Sequence, residues 1–454
     1  MTRAGKGGHR AGPHTRTARG KTQGLVRPRR HSVLAMALLV VAFATPAVEL
    51  DYDIGVFALH SDNINLSDDA PLDDTLVEPT VRFTLTQSGG DVKIDGRGQL
   101  QYTDYLDDTF KDEFRGSFAG SADWAVVPSR MNLVFQDYLG QQTIDDLNPA
   151  TPDNLQQVNL FVFGPSFYTR FTPATRGQFD LRYGNTWAEE TKSFDGDRYG
   201  GAARIRHDVS PTSEVTGTLE AMQVKYDDNI ESDYDRYDAY VSYKGRRTSL
   251  DLDFDIGYSH LKLDSGFDDD SPLLRGSATW RMTQRSRLRG DVRYQYTDAT
   301  QYLITPVVDF GEQRFNEVLY TDIKVDSSVF QEKNVRLAYD YEGPTTTFRL
   351  QPYYLDLDYV NELGDDRKIH GVAADVGYRI TPLVTASLLV TYERNEYTNF
   401  ERQDKDTVAD IGLSKRFSRH WTGRVGYRYR NRDSDVIGQD YEENAVTLAV
   451  AYSR

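Results

Sequence analysis

Apolar and polar residues alternate with period two from about residue 50 to the C-terminus, and this limits the possible folds more than any other feature of the chain. Successive side chains on a strand point to opposite faces, so such alternation marks strands with one greasy and one wet side. In 250–258, Leu250, Leu252, Phe254, Ile256 and Tyr258 oppose Asp251, Asp253, Asp255 and Gly257. In 288–296, Leu288, Val292, Tyr294 and Tyr296 oppose Arg289, Asp291, Arg293 and Gln295. In 423–430, Val425, Tyr427 and Tyr429 oppose Arg424, Arg428 and Arg430. A soluble sandwich also alternates, but its turns do not fall into two length classes that alternate along the chain. Here short connections such as Ser88-Gly89-Gly90, Val127-Pro128-Ser129 and Thr381-Pro382 supply turn dihedrals. Between them lie longer segments dense in Asp and Asn, at 62–74, 105–112, 142–155, 190–197, 227–234, 263–271, 300–329, 360–367, 397–405 and 432–440.

Nine short and ten long connections join 20 strands and leave both termini on the short-turn side, which is periplasmic in bacterial barrels. The pattern therefore predicts an all-β fold: a transmembrane antiparallel up-and-down β-barrel of about 20 strands, with about 18 to 22 open. The higher number requires a further hairpin in 313–328; the lower requires two weak strands to fail. Residues 300–329, the longest connection, carry Val318-Leu319-Tyr320 and Val329-Phe330, and are expected to fold into the barrel mouth.

Ahead of the first strand, Val33 to Ala44 form an apolar run too short to span a bilayer, behind Arg27, Arg29 and Arg30 and before small residues. Residues 1–47 are read as an extended basic n-region and secretory signal peptide, and 48–454 as the barrel. The leader holds nine Lys or Arg and no acid, so its removal takes the formal charge from -16 to -25. That acidity, concentrated in the long loops, excludes a nucleic-acid binder. With no cysteine, sheet closure must replace disulfides. Aromatics near strand ends, among them Tyr105, Trp124, Trp187, Tyr226, Trp280, Tyr302, Tyr359, Tyr397 and Trp421, are expected to form girdles at the two membrane surfaces. The loops are expected to meet lipopolysaccharide at the outer surface.

No catalytic, cofactor or metal motif occurs, and His60, His207, His260, His370 and His420 lie far apart, so no enzyme is expected. The charged constellation is in the expected lumen. Inward positions read Asp251, Asp253 and Asp255, then Arg275 and Arg281, then Arg287, Arg289 and Arg293, then Arg336, then Arg349. Neighbouring strands lie just under ~5 Å apart, which would gather these into one pore-lining patch. It serves either as an Arg–Asp network that stiffens the wall or as a transverse field that orients an anionic polymer.

The opening stretch Gly55-Val56-Phe57-Ala58-Leu59-His60-Ser61-Asp62-Asn63-Ile64 and the cadence of Arg379 to Tyr452 resemble the β-barrel porin type 2 family. Asn444 to Arg454 resembles the terminal strand read by the barrel-assembly machinery, with Ser453 and Arg454 beyond the aromatic residue that usually closes it. Members of the family are often associated with exopolysaccharide and exosortase (PEP-CTERM) systems. The resemblance thus implies an outer-membrane conduit for polysaccharide, working with periplasmic export components. A general diffusion porin for small solutes and a structural or adhesive surface barrel are the alternatives.

Overall fold

The computed structural model describes residues 48–228, 232–304, 324–360, 365–399 and 401–454; the expected signal peptide, residues 1–47, lies outside them. Twenty strands form one sheet. The first ten are β1 (Glu49–Ser61), β2 (Asp74–Gln87), β3 (Val92–Tyr105), β4 (Glu113–Val127), β5 (Met131–Thr143), β6 (Leu155–Arg170), β7 (Thr175–Ala188), β8 (Gly196–Ser210), β9 (Ser213–Tyr226) and β10 (Tyr234–Arg246). Each pairs antiparallel with the next. The second ten are β11 (Leu250–Leu263), β12 (Asp268–Arg281), β13 (Ser286–Asp298), β14 (Val329–Glu342), β15 (Thr346–Tyr359), β16 (Arg367–Thr381), β17 (Val384–Tyr397), β18 (Arg402–Arg416), β19 (Trp421–Ser434) and β20 (Tyr441–Ser453). Pairing of β1 with β20, from Asp53↔Ser453 to Ser61↔Ala445, closes the ring and leaves no free sheet edge at the seam.

Closure makes the alternation three-dimensional. Leu219 (65% exposed), Ile256 (64%) and Leu448 (57%) stand on the outer face, with the polar set facing inward. A wall whose backbone groups are satisfied strand to strand and whose outside is apolar meets the requirement that lipid imposes. No helix among the described residues is long and apolar enough to cross a membrane. Several glycines make room for rings on a neighbouring strand: Phe83 lies over Gly98, Phe254 over Gly276 and Tyr353 over Gly371.

Among the described residues the strands number twenty, as the sequence pattern predicts; residues 305–323, which contain most of the alternative extra hairpin, lie outside them. Three sequence expectations are corrected, two loop bounds and the girdle. The long loop expected at 263–271 is only 264–267, because Asp268 and Asp270 stay paired with Lys262 and His260 of β11. Likewise 397–405 shortens to 398–401, since Tyr397 and Arg402 already face each other across β17 and β18. Finally, the girdle splits. Trp124, Trp187, Trp280 and Trp421 are exposed on the outer face, whereas Tyr105, Tyr226, Tyr302 and Tyr397 are buried inside the barrel. Of their hydroxyls, that of Tyr397 reaches the Asp146 carbonyl in the loop after β5, and that of Tyr302 reaches Glu332.

One departure from the plain ring matters for the site. Pairing between β12 and β13 stops at Leu274↔Tyr294, yet β13 continues to pair with β14 as far as Asp298↔Val329. The upper end of the β13–β14 hairpin therefore leaves the wall and leans inward, where Arg236 of β10 donates to the carbonyl of Tyr296 at 2.8 Å.

Candidate functional site

The ten charged residues singled out from the sequence share the inner face of β11 to β15, as the registers Asp255↔Arg275↔Arg293 and Asp340↔Arg349 require. Every arginine among them has a carboxylate partner. Arg275 meets Asp255 at 3.0 Å, Arg281 pairs with Asp251, and Arg287 reaches Glu342 at 3.4 Å. Arg289 and Arg349 converge on Asp340 at 3.1 and 2.7 Å. Arg293 meets Glu332 at 3.1 Å, and Arg336 meets Asp291 at 3.5 Å. Asp253 is taken by Lys244 of β10 at 3.2 Å. The guanidinium of Arg275 also lies 4.7 Å from the centre of the Tyr240 ring. The geometry is thus a neutralised ladder rather than a bare basic patch.

The ladder continues where the sequence reading did not follow it. On β19, Arg424 and Arg428 flank Asp410 of β18 at 2.5 and 3.7 Å. Arg432 meets Asp406 at 2.6 Å, and Arg430 meets Glu443 of β20 at 3.4 Å. On β8, Arg204 pairs with Asp180 of β7 and lies 3.6 Å from Glu220 of β9. The signal was an arginine or carboxylate at every second position opposite an apolar one. It recurs on β7 to β9 and on β18 to β20, whereas the inward positions of β6 read Gln156, Val158, Leu160, Val162 and Gly164.

The mouth is partly filled by two loops. Residues 144–154, between β5 and β6, reach strands on the other side of the twenty-strand ring. Arg367, which opens β16 and is 2% exposed, lies 3.4 Å from Asp146. Tyr397 donates its hydroxyl to the Asp146 carbonyl at 3.0 Å, and Arg402 of β18 donates to the Leu147 carbonyl at 2.7 Å. Burial pushes the Asp146 carboxyl above the ordinary carboxylate range, against the pull of Arg367 and Lys324.

The second loop follows β13. Its short helix α1 (Thr300–Ile304) packs against β5 and β6. Ala299 and Val325 are buried with Val158, Ala188 and Phe194, while Tyr302 stacks beside Phe330 and packs with Leu355, Leu357 and Ile369. Asp298 anchors the base of this loop. Two of its partners are buried, Arg198 of β8 at 2.6 Å and the Tyr234 hydroxyl at 2.7 Å, and the Thr300 N–H also donates to it at 3.1 Å. Ser327 reaches Ser232 at 3.1 Å. Burial also raises the Asp326 carboxyl, with Lys324 and Ser328 opposing. The described ends of the longest loop are therefore folded into the mouth. Asp146, Arg198, Asp298, Arg367 and Arg402 carried no local sequence signal, because each meets its partner only when the ring closes.

Known proteins bear on this arrangement at two levels. Residues 369–454, from β16 to the C-terminus, match the model of the family described as "Putative beta-barrel porin 2", which bears out the resemblance over that part of the chain. Comparison with curated protein sequences gave no match. Among solved structures, the chain is similar to the siderophore receptor PirA from Acinetobacter baumannii, with 11% identity, TM-score 0.49, and coverage of 90% of this chain and 81% of that one. It is also similar to the ferric enterobactin receptor PfeA from Pseudomonas aeruginosa, with 11% identity, TM-score 0.47 and the same coverage. For the FrpB iron transporter from Neisseria meningitidis the values are 8%, 0.45, 89% and 82%. The closed ring, its apolar exterior and the matched porin segment make this a porin-like barrel of the bacterial outer membrane.

Proposed function

We propose that the barrel is a conduit through which exopolysaccharide crosses the outer membrane. The observation that carries this reading is the inner wall. It is polar on most strands, and most of its charges are held in pairs, as in Arg275–Asp255, Arg349–Asp340 and Arg432–Asp406. A hydroxyl-rich chain sliding over such a surface exchanges hydrogen bonds with water and paired ions, whose fields largely cancel. A ring of this size has room for an aqueous channel. The loops carrying Asp146 and Asp298 narrow its outer end. Transport, rather than chemistry on a substrate, is the work we assign to this wall. The likeness of residues 369–454 to the porin family agrees with it.

The test is single-channel recording of the purified protein in a planar bilayer, with oligosaccharides added. Sugar-dependent interruption of a large unitary current is expected, together with loss of secreted polymer when the gene is deleted. A current indifferent to sugar, in cells that still secrete, would instead mark a general diffusion porin. Absence of any current would turn attention to the acidic loops as an adhesive surface.

A further inference from the structure

The two ends of the barrel differ in charge. Outside, the loops present acidic pairs such as Asp68-Asp69, Asp107-Asp108, Asp227-Asp228 and Asp365-Asp366. At the periplasmic end the balance reverses. Four inward-register arginines stand at or near strand ends there: Arg170 closing β6, Arg246 closing β10, Arg379 near the end of β16 and Arg416 closing β18. All four are exposed, and among the described residues none has a carboxylate within ion-pair distance.

Three of them are held by turn carbonyls instead. Arg170 donates to the carbonyls of Thr172 and Pro173 at 3.3 and 3.0 Å. Arg379 donates to Pro344 of the neighbouring turn at 3.2 Å, and Arg416 donates to Pro382 at 3.4 Å. A carbonyl positions a guanidinium without cancelling its charge. Around them, the turns add exposed Arg130, Arg247, Arg285 and Arg419. The rim carboxylates Asp208, Glu214, Asp251 and Glu342 are each taken by another arginine. Those left over, Glu49, Asp51, Asp91 and Asp95, lie on or beside β1 and β3, whereas the four arginines stand on β6, β10, β16 and β18.

We propose that this collar is a capture site for an anionic polymer, a chain bearing carboxylate or phosphate groups, entering from the periplasm. The inference rests on the conduit reading above and names its substrate class. Uncompensated arginines at an aperture with low-dielectric walls raise the local concentration of a polyanion and its entry rate. The guanidinium plane also suits carboxylate and phosphate geometry. Inside, the paired ladder lets the chain slide on, and the acidic loops discourage entry from the other side. The asymmetry sets which mouth captures; the driving force for net export comes from synthesis and delivery of the chain.

The test uses planar bilayers with one orientation of the barrel. Because the chain has no cysteine, Asp228→Cys labelled from one chamber reports that orientation. Polygalacturonate, an anionic probe, and dextran, a neutral one, are added to either side. Block by polygalacturonate is expected at about tenfold lower concentration from the periplasmic side. The asymmetry should vanish in R170Q/R246Q/R379Q/R416Q and survive in the four-lysine counterpart, which keeps the charge. Equal block from both sides, or asymmetry unchanged in the glutamine variant, overturns the collar. Block by dextran alone overturns the anionic class and leaves the conduit standing. A conducting channel that neither polymer touches overturns the conduit and the collar together.

Discussion

Truncating Arg367 should open the mouth. Its guanidinium is buried between Asp146 of the crossing loop and Asn395 of β17, to whose side-chain oxygen it donates at 2.8 and 3.2 Å. It also lies 5.2 Å from the centre of the Tyr397 ring. In Arg367→Ala the Asp146 carboxylate, 6% exposed, loses its cationic partner while the loop remains docked. Removing one member of a buried pair costs about 3–5 kcal/mol. Water in the lumen can reach the vacated space, which favours the lower figure. The Tyr397 hydroxyl and Arg402 still hold the backbone of Asp146 and Leu147, so the loop keeps two of its anchors. A loss of about 3 kcal/mol shifts the ratio of docked to released loop roughly a hundredfold. Single-channel recording should show this as longer or more frequent visits to a larger conductance. Adding Asp146→Asn should recover part of the effect, because the stranded charge is then gone. Identical unitary current and gating in Arg367→Ala and the parent would refute the account, since a loop released from the far wall cannot leave the aperture unchanged.

Three further outcomes follow from the same geometry. Arg198→Ala strands Asp298 beneath the second loop and should destabilise it by about 3–5 kcal/mol, read as faster proteolysis between Asp298 and Val329 with the rest of the barrel intact. Burial raises the Asp146 and Asp326 carboxyls, whose charged surroundings are Arg367, Lys324 and Asp145. Their contribution to docking is therefore fully present below the ordinary carboxylate value and is lost as pH rises through the raised ones; conductance recorded from about pH 4 to pH 7 should increase, and a decrease would reverse the sign. Ile256→Arg on the outer face should cost about 2–4 kcal/mol if that position lies near the bilayer midplane, whereas Ser242→Arg, inward on β10, should cost little; equal losses in urea-induced unfolding from lipid vesicles would contradict the assignment of faces.

The parts legible in the sequence were those fixed by local period. Alternation at 250–258 or 288–296 fixes which residues face lipid whatever the rest of the chain does, so strand number, direction and the inner position of the arginines were accessible before any contact was known. Turn chemistry set register at the short connections, where a link of two to four residues leaves little freedom. Irregularities in pairing do fall at such periplasmic ends, as between Arg379 and Thr381 or Asp208 and Ser210. Loop lengths were less accessible because acidic composition was taken to mean loop. Asp268 to Asp270 remain in β12, since a carboxylate costs nothing in a strand that stands in water and faces a histidine.

The contents of the mouth lay beyond local reading for a different reason. Asp146 and Arg367 are 221 residues apart, and nothing near either one distinguishes it from the many solvated charges around it. Tyr397 reads as a girdle residue from its place at the end of a strand, and only parity, counted back through β17, turns it inward. The neutral ladder is intermediate between these cases. Each arginine was visible singly, but its partner sits on the adjacent strand, so the balance of charge depends on register across the whole wall. That balance decides function. Seven bare arginines on β12 to β15 would bind a polyanion and hold it, whereas seven paired ones leave capture to Arg170, Arg246, Arg379 and Arg416 at the aperture and keep the passage beyond them slippery.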